Sequence, residues 1–139
     1  MKCFRLMAFV FFLIGSQSLA TEETHEKGKL PASVIAHDPE QGFKLSDAAI
    51  KRLGIRFEKL TGVGPWDVPR TALVKIKRSV GVYRQVDGFL TLVLVETIGT
   101  GTRVRSVDLR EGDRIAVEGG GFLRVIDLDL SGGGGDSCG

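Results

Sequence analysis

Carboxylates form the densest group of side chains in this sequence that could take part in catalysis. Asp108, Glu111 and Asp113 stand close together in the C-terminal half of the chain. A catalytic pair of carboxylates needs one member whose pKa is raised by burial. Here Arg110 and Arg114 alternate with the acids, and the stretch has the composition of a turn. The pattern therefore favours solvated turn acids over a general acid and base.

Side chains that bind copper or zinc lie outside the strand-rich part of the sequence. Copper(I) prefers methionine and cysteine ligands, and zinc prefers cysteine and histidine. The residues of these types are Met1, Cys3, Met7, His25, His37 and Cys138. Their separation along the chain argues against a shared site. We therefore expect no metal site and no cofactor.

Motifs of phosphate-binding and zinc-dependent enzymes are missing from the sequence. It contains no H-E-x-x-H and no P-loop. Gly99 and Gly101 come closest to a dinucleotide-binding loop, but the third glycine and the following helix are missing, so these residues are predicted to form a turn. The sequence therefore predicts a protein that is not an enzyme.

Three side chains have the types that anchor protein interfaces. Arg103 and Arg105 fall on one face of a predicted strand, where they form either a docking surface for an acidic partner or an ordinary solvent-facing strand face. Trp66 is either an interface anchor or an aromatic at the edge of the core. We expect these residues to be the partner contacts.

Short β-strands must position all of these groups. Residues 80–86 and 89–98 each place apolar side chains at period two, and Asp87 and Gly88 stand between them. Asp-Gly between two such runs is typical of a type I′ hairpin turn, because both central residues need φ > 0. A second turn at Gly112 and Asp113 precedes a strand at residues 115–117.

Further strands are predicted on both sides of this hairpin. Alternation indicates strands at residues 55–60, 72–76 and 103–107, and a last strand at 122–130 after the glycine run 119–121. Together the strands predict a mainly β fold, a small antiparallel β-barrel or sandwich with one short N-terminal α-helix.

That helix is predicted over residues 47–53. Ser46 is a suitable N-cap, and Gly54 suits the left-handed position that follows a helix. Leu45 and Ile50 have the spacing of a hydrophobic staple.

The first 20 residues have the pattern of a cleaved signal peptide, with Lys2 and Arg5 ahead of an apolar run and a small-residue site that ends at Ala20. We therefore expect export to the periplasm. Residues 21–41 are predicted to be a disordered linker, in which residues 34–36 are the one candidate for a short ordered piece. Residues 42–130 are predicted to be the folded domain and 131–139 a flexible glycine-rich tail. Without the signal, the chain's 19 basic residues lose their excess over the 17 acidic ones. This balance argues against a nucleic-acid partner.

The order of motifs resembles the membrane-proximal domain of periplasmic adaptor subunits, the membrane fusion proteins of tripartite efflux systems. The similar stretches are residues 68–74 (V-P-R-T-A-L-V), 80–83 (V-G-V-Y), 95–97 (V-E-T) and 109–119 (L-R-E-G-D-R-I-A-V-E-G). The entry stretch 45–55 resembles the opening of the same proteins, particularly in their heavy-metal efflux branch. In such proteins the N-terminal strand returns to pair with the C-terminal strands.

The chain also departs from that family. A full adaptor places a lipoyl-like domain, a helical hairpin and a β-barrel between its first and last strands, whereas Leu60 and Val68 are only a few residues apart here. The resemblance implies an adaptor-like interaction module that docks on an inner-membrane efflux transporter or on a full-length adaptor, without spanning the membrane after signal cleavage. Two alternatives remain at this stage: a free periplasmic carrier of a small ligand or metal ion, and a decayed adaptor without an independent role.

Overall fold

The computed structural model describes residues 32–99 and 101–132. The predicted signal peptide, residues 21–31 of the predicted linker and residues 133–139 of the predicted tail lie outside this part. Within it, no helix is long and apolar enough to span a membrane. The strands are β1 Val34–Asp38, β2 Gly42–Leu45, β3 Arg56–Lys59, β4 Trp66–Asp67, β5 Val74–Ile76, β6 Ser79–Val86, β7 Phe89–Ile98, β8 Arg103–Arg105 and β9 Arg114–Glu118. The helices are α1 Asp47–Arg52 and α2 Gly120–Leu130, with a 3-10 turn at Arg70–Ala72.

All strand pairs in the described residues are antiparallel. One path through the sheet runs β1-β2-β7-β6-β9-β3, and β8 joins β7 and β4. The sheet does not close on itself among the described residues. The mainly β prediction is therefore confirmed, and of the two architectures predicted the fold is a sandwich rather than a barrel.

The β6–β7 hairpin separates two hydrophobic cores. Tyr83 lies opposite Leu92 and belongs to the first core, with Phe43 and Leu123. Val82 lies opposite Val93 and belongs to the second core. Because successive strand residues point to opposite faces, one hairpin lines both cores.

The Asp87-Gly88 turn that connects these strands is confirmed. Asp87 has φ of 50° and Gly88 has φ of 84°, as a type I′ turn requires. Aspartate tolerates this left-handed conformation better than most residues with a side chain. The register that follows pairs Val86 with Phe89 and continues to Val80 and Val95.

Helix α1 has the predicted cap residues. The Ser46 hydroxyl accepts a hydrogen bond from the Ala49 N–H at 3.2 Å. Gly54 follows the last turn with φ of 64°. Leu45 is buried and Ile50 packs against the same first core, consistent with the expected staple.

The prediction of a last strand at residues 122–130 is wrong, because these residues belong to helix α2. Six of these nine residues are apolar, so they can be fitted to the alternation of a strand. However, Leu123, Ile126 and Leu130 also have helical spacing, and these three face the first core. The predicted separator 119–121 is the start of this helix. Gly120 allows α2 to approach β5, since a Cβ atom there would lie 3.0 Å from a Val74 methyl group.

A network of polar side chains fixes α2 to the sheet. The Tyr83 hydroxyl donates to Asp127 Oδ2 at 2.8 Å, and Arg124 Nη1 donates to the same oxygen at 3.0 Å. Burial of Tyr83, together with the neighbouring Asp127 carboxylate, raises the pKa of the phenol. The helix is thus held by a partly buried hydrogen bond as well as by apolar packing.

Two further boundaries differ from the predictions. Strand β1 lies inside the segment 21–41 that was predicted to be a disordered linker, and it pairs with β2. Its connecting turn is ordered by Asp38, whose carboxylate accepts the N–H groups of Gln41 and Glu40 at 2.8 Å. These hydrogen bonds lower the pKa of Asp38. The strand predicted at 72–76 begins only at Val74, because the preceding residues form the 3-10 turn.

Candidate interaction surface

Trp66 lies on β4, a strand of two residues that is held by pairing with β8. Trp66 is opposite Val104, which is fully buried in the second core, and packs partly against that core. Its indole Nε1 donates to the Gly62 carbonyl oxygen at 3.1 Å. Trp66 is therefore an aromatic at the edge of the core, with part of its ring still exposed.

Arg103 and Arg105 lie on β8 and point to the face opposite Val104. Arg105 donates from Nε and Nη2 to Glu96 Oε2, at 3.2 and 2.8 Å. Arg103 Nε lies 3.9 Å from Asp67 Oδ1. All four charged side chains are more than half exposed, so the ion pairs add little stability. The outer face of β4, β8 and β7 is thus a mixed-charge surface.

The three predicted contact residues do not converge. Because residues directly opposite on paired strands point to the same face, Trp66 shares the inner face with Val104, whereas Arg103 and Arg105 point outward. A single flat partner surface cannot contact both faces of this ribbon. The structure therefore separates Trp66 from the two arginines.

The predicted turn acids bind the ends of neighbouring elements. Asp113 Oδ2 accepts the Arg110 N–H at 2.9 Å, and Glu111 Oε1 accepts the Gly62 N–H at 3.1 Å. Arg84 donates to the backbone carbonyl of Asp108 and lies 3.7 Å from Asp113 Oδ2. These carboxylates hold loops together and do not converge on a common point.

Gly112 and Asp113 hold the end of β3. The Gly112 N–H donates to the Leu60 carbonyl at 2.8 Å, and the Leu60 N–H donates to the Asp113 carbonyl at 2.8 Å. The predicted turn at these residues is thus also the point where the N-terminal part of the domain meets the C-terminal strands.

A cavity of about 350 Å³ lies between the outer edges of β3 and β4. It is lined by residues 58–61 and 65–69, by Val63, and by Ile115 and Val117 from β9. Since neighbouring residues of a strand point to opposite faces, a cavity that borders consecutive residues must open at the strand edge. We call this cavity the seam.

Apolar side chains that were not among the predicted contact residues are exposed near the seam and on the outer strands. Val63 in the β3–β4 loop is 92% exposed and Val107 in the β8–β9 loop is 94% exposed. Leu94 of β7 is more than half exposed and, with Val107, lines two open grooves of about 660 and 680 Å³. The sequence signal that could have indicated an exposed apolar residue is a valine between polar turn residues, as at 106–108.

Helix α2 adds a second exposed apolar strip that the strand prediction obscured. Phe122, Val125 and Leu128 point away from the first core, with exposed fractions of 56%, 65% and 41%. Their spacing places them along one side of the helix.

Metal-ligating side chains do not cluster in the part of the chain that the structure describes. His37 is exposed on β1, and His25 and Cys138 lie outside the described residues. Residues 135–139 (G-D-S-C-G), outside the described residues, match the G-x-S-x-G spacing of serine hydrolases. That motif needs a strand before the serine, whereas the preceding described element is helix α2.

No known protein family, no curated protein and no solved structure matches this chain.

Proposed function

We propose that this chain is an exported, adaptor-like interaction module of a tripartite efflux system, which docks on the inner-membrane transporter or on a full-length adaptor. The proposal begins from the resemblance of residues 68–119 and 45–55 to membrane-proximal adaptor domains. It is supported most strongly by one observation, the pairing of β3 with β9.

This pairing brings the strand that directly follows the similar stretch 45–55 against β9, which lies inside the similar stretch 109–119. Strand β3 runs antiparallel to β9, from Arg56 opposite Glu118 to Lys59 opposite Arg114. Arg56 Nη2 lies 2.9 Å from Glu118 Oε1, and the Arg114 guanidinium lies 5.4 Å from the centre of the Phe57 ring. An adaptor-like domain without the long insertion needs this contact, because otherwise its entry strand would have no partner.

The surface composition is compatible with docking. Exposed valines and leucines beside paired charges provide apolar contact area with a polar surround. Isolated exposed apolar residues are normal, but Leu94 and Val107 line the same two grooves. We therefore place the transporter or adaptor contact on the side of the molecule that carries β7, β8 and the β8–β9 loop.

Affinity capture from detergent-solubilised membranes of the encoding organism tests the proposal. We expect the tagged protein to recover an inner-membrane efflux transporter or a full-length adaptor, identified by mass spectrometry. The double variant Leu94→Asp/Val107→Asp should lose this capture, because it places charges in the grooves. Phe122→Asp/Val125→Asp, which also replaces two exposed apolar residues but lies on α2 outside both grooves, is the matched control and should retain it.

Recovery of neither protein class by the unmodified chain would contradict the proposed function. Calorimetry with metal ions and small periplasmic solutes tests the carrier alternative on the same sample. Saturable binding of a small solute, without capture of a transporter or adaptor, would favour the carrier.

A further inference from the structure

Four strands in the described residues pair with only one other strand, namely β1, β3, β4 and β5, and two of these, β3 and β4, border the seam. Starting at β3, the hydrogen-bonded neighbours are β9, β6, β7, β8 and finally β4. Among residues 32–99 and 101–132, no strand pairs with the outer edge of β3 or of β4. These two edges face the same cavity, the seam, because consecutive residues of both strands line it.

The hydrogen bonds of adjacent residues show which backbone groups face the seam. Leu60 directs its N–H and C=O toward the β9 side, where they pair with Asp113 and Gly112. The Val68 N–H is directed toward the β8 side, where it donates to the Thr102 carbonyl at 2.9 Å. Since these directions alternate along a strand, Lys59 and Asp67 direct their backbone N–H and C=O groups into the seam.

The side chains of the seam favour a peptide over an apolar small molecule. Its floor consists of residues that are already buried, Leu60, Val68, Ile115 and Val117, so an apolar ligand would remove little further surface from water. Its rims carry the unpaired backbone groups of Lys59 and Asp67, and the charged side chains that line it are one cation, Lys59, and two anions, Glu58 and Asp67. Val63 and the exposed part of Trp66 supply the apolar contact at one end.

We propose that the seam binds one extended segment of the partner polypeptide, which adds as a β-strand between β3 and β4. The added strand would satisfy the edge groups of Lys59 and Asp67 through its own backbone, with an apolar side chain against Val63 and Trp66. This inference deepens the proposed docking function and rests on it: the partner that contacts the grooves at Leu94 and Val107 would also place one extended segment in the seam, a separate part of the surface.

Trp66 makes strand addition directly measurable, because it is the only tryptophan in the chain. The probe is a synthetic peptide of alternating valine and threonine with a lysine at each end. Titration of this peptide into the purified protein should change Trp66 fluorescence saturably. The same peptide with N-methylated valines lacks half of its backbone donors and should produce no change. Equal responses to both peptides, or a response to neither, would overturn the proposal.

Two substitutions of Lys59 distinguish the contribution of its backbone N–H to peptide binding from that of its side chain. Lys59→Pro removes the N–H that faces the seam while leaving the bonds of Leu60 to the β9 side, and should weaken peptide binding by about tenfold or more. Lys59→Ala keeps that N–H and should bind within about twofold of the unmodified protein. Circular dichroism checks that both variants fold. If Lys59→Pro does not fold, the N-methylated peptide and the unmodified protein decide the question.

Affinity capture with Lys59→Pro distinguishes the two proposals. If the unmodified chain captures a transporter or adaptor and folded Lys59→Pro does not, strand addition at the seam is supported. Capture by both chains would overturn the seam proposal and leave the docking function standing. Failure of the unmodified chain to capture either class removes the docking function, and with it the physiological partner of the seam.

Discussion

Tyr83 attaches helix α2 to the sheet through a single side-chain hydrogen bond. Its ring is fully buried in the first core, where it meets the Phe43 ring edge to face at 6.1 Å between centroids. Its hydroxyl reaches Asp127 on α2. A buried hydroxyl without a hydrogen-bond partner lowers the stability of the folded state. Asp127 therefore stabilises the sheet residue Tyr83 as well as the attachment of α2.

We expect Tyr83→Phe to lower the free energy of unfolding by about 1–2 kcal/mol, because it removes a hydrogen bond to a charged acceptor. Urea denaturation followed by circular dichroism measures this change. Tyr83→Leu would also remove ring packing and should cost more. An unchanged denaturation midpoint in Tyr83→Phe would show that the hydroxyl does not stabilise the fold.

The raised pKa of Tyr83 predicts a loss of stability in alkaline solution. The folded protein holds the phenol proton more tightly than the unfolded chain, whose tyrosine titrates at about 10. Stability from this group is therefore complete below about pH 10 and declines as the pH rises further. Tyr83 is the only tyrosine, so tyrosinate absorbance reports it alone. The titration should occur at higher pH in the folded protein than in urea, and coincidence of the two curves would contradict the burial argument.

Among the elements, α1 is short and depends on its caps. It spans only Asp47–Arg52, and isolated helices of this length are unstable in water. The Ser46 hydroxyl, the acidic Asp47 in the first turn and the basic Lys51 and Arg52 in the last turn all favour the helix. Ala49 then buries its methyl group completely in the first core.

We expect Ser46→Ala to destabilise the protein by about 1 kcal/mol through loss of the N-cap. Ser46→Asp is the matched control, because its carboxylate can accept the same Ala49 N–H and should keep most of the stability. Thermal denaturation compares the two. Equal losses in both variants would indicate that Ser46 acts through something other than capping.

Two substitutions in α2 test whether residues 122–130 form a helix, as in the structure, or the strand that the sequence pattern predicted. Leu123 and Val125 would lie on the same face of a strand, but in α2 Leu123 is fully buried and Val125 is 65% exposed. We therefore expect Leu123→Ala to cost about 2–5 kcal/mol and Val125→Ala less than about 0.5 kcal/mol. Chemical denaturation of both variants gives the two values. Comparable costs would argue for the strand and against the helix.

At the scale of the whole molecule, the two cores share the β6–β7 hairpin and should unfold together. Leu90 belongs to the first core, whereas Trp66 borders the second. We expect Leu90→Ala, at a cost of about 2–5 kcal/mol, to shift the Trp66 fluorescence transition by the same amount as the far-UV circular dichroism transition. Separate midpoints for the two signals would show that the cores are independent units.

The sequence predicted much of the framework because the relevant signals are local. The Asp87-Gly88 turn, the Ser46 cap, the residue Gly54 and the mainly β class all depend on neighbours within a few positions. These local signals failed where apolar residues are dense. Residues 122–130 fit both the two-residue period of a strand and the 3.6-residue period of a helix, and only their contact with the first core selects the helix. Of strand β1 the sequence indicated only residues 34–36 as a candidate ordered piece, because the order of the whole strand comes from pairing with β2 and from the Asp38 turn.

Some placements of the candidate contact residues could likewise be predicted from local sequence, and others could not. The sequence could place Arg103 and Arg105 on one strand face, since alternation along a strand is a local property. It could not place Trp66 on the opposite face of the ribbon, nor bring Leu94 beside Val107, because both follow from the register between strands.

The sequence by itself determined where the chain turns, where α1 begins and ends, and which residues alternate between two sides of the long hairpin, because each depends on backbone preferences within a few residues. Only the tertiary structure decided that residues 120–130 form a helix, that the sheet stays open, and that β3 and β4 leave their outer edges facing one seam. Those outcomes depend on which distant segments compete for the same apolar surface and the same backbone hydrogen bonds, and single-residue preferences do not contain that information.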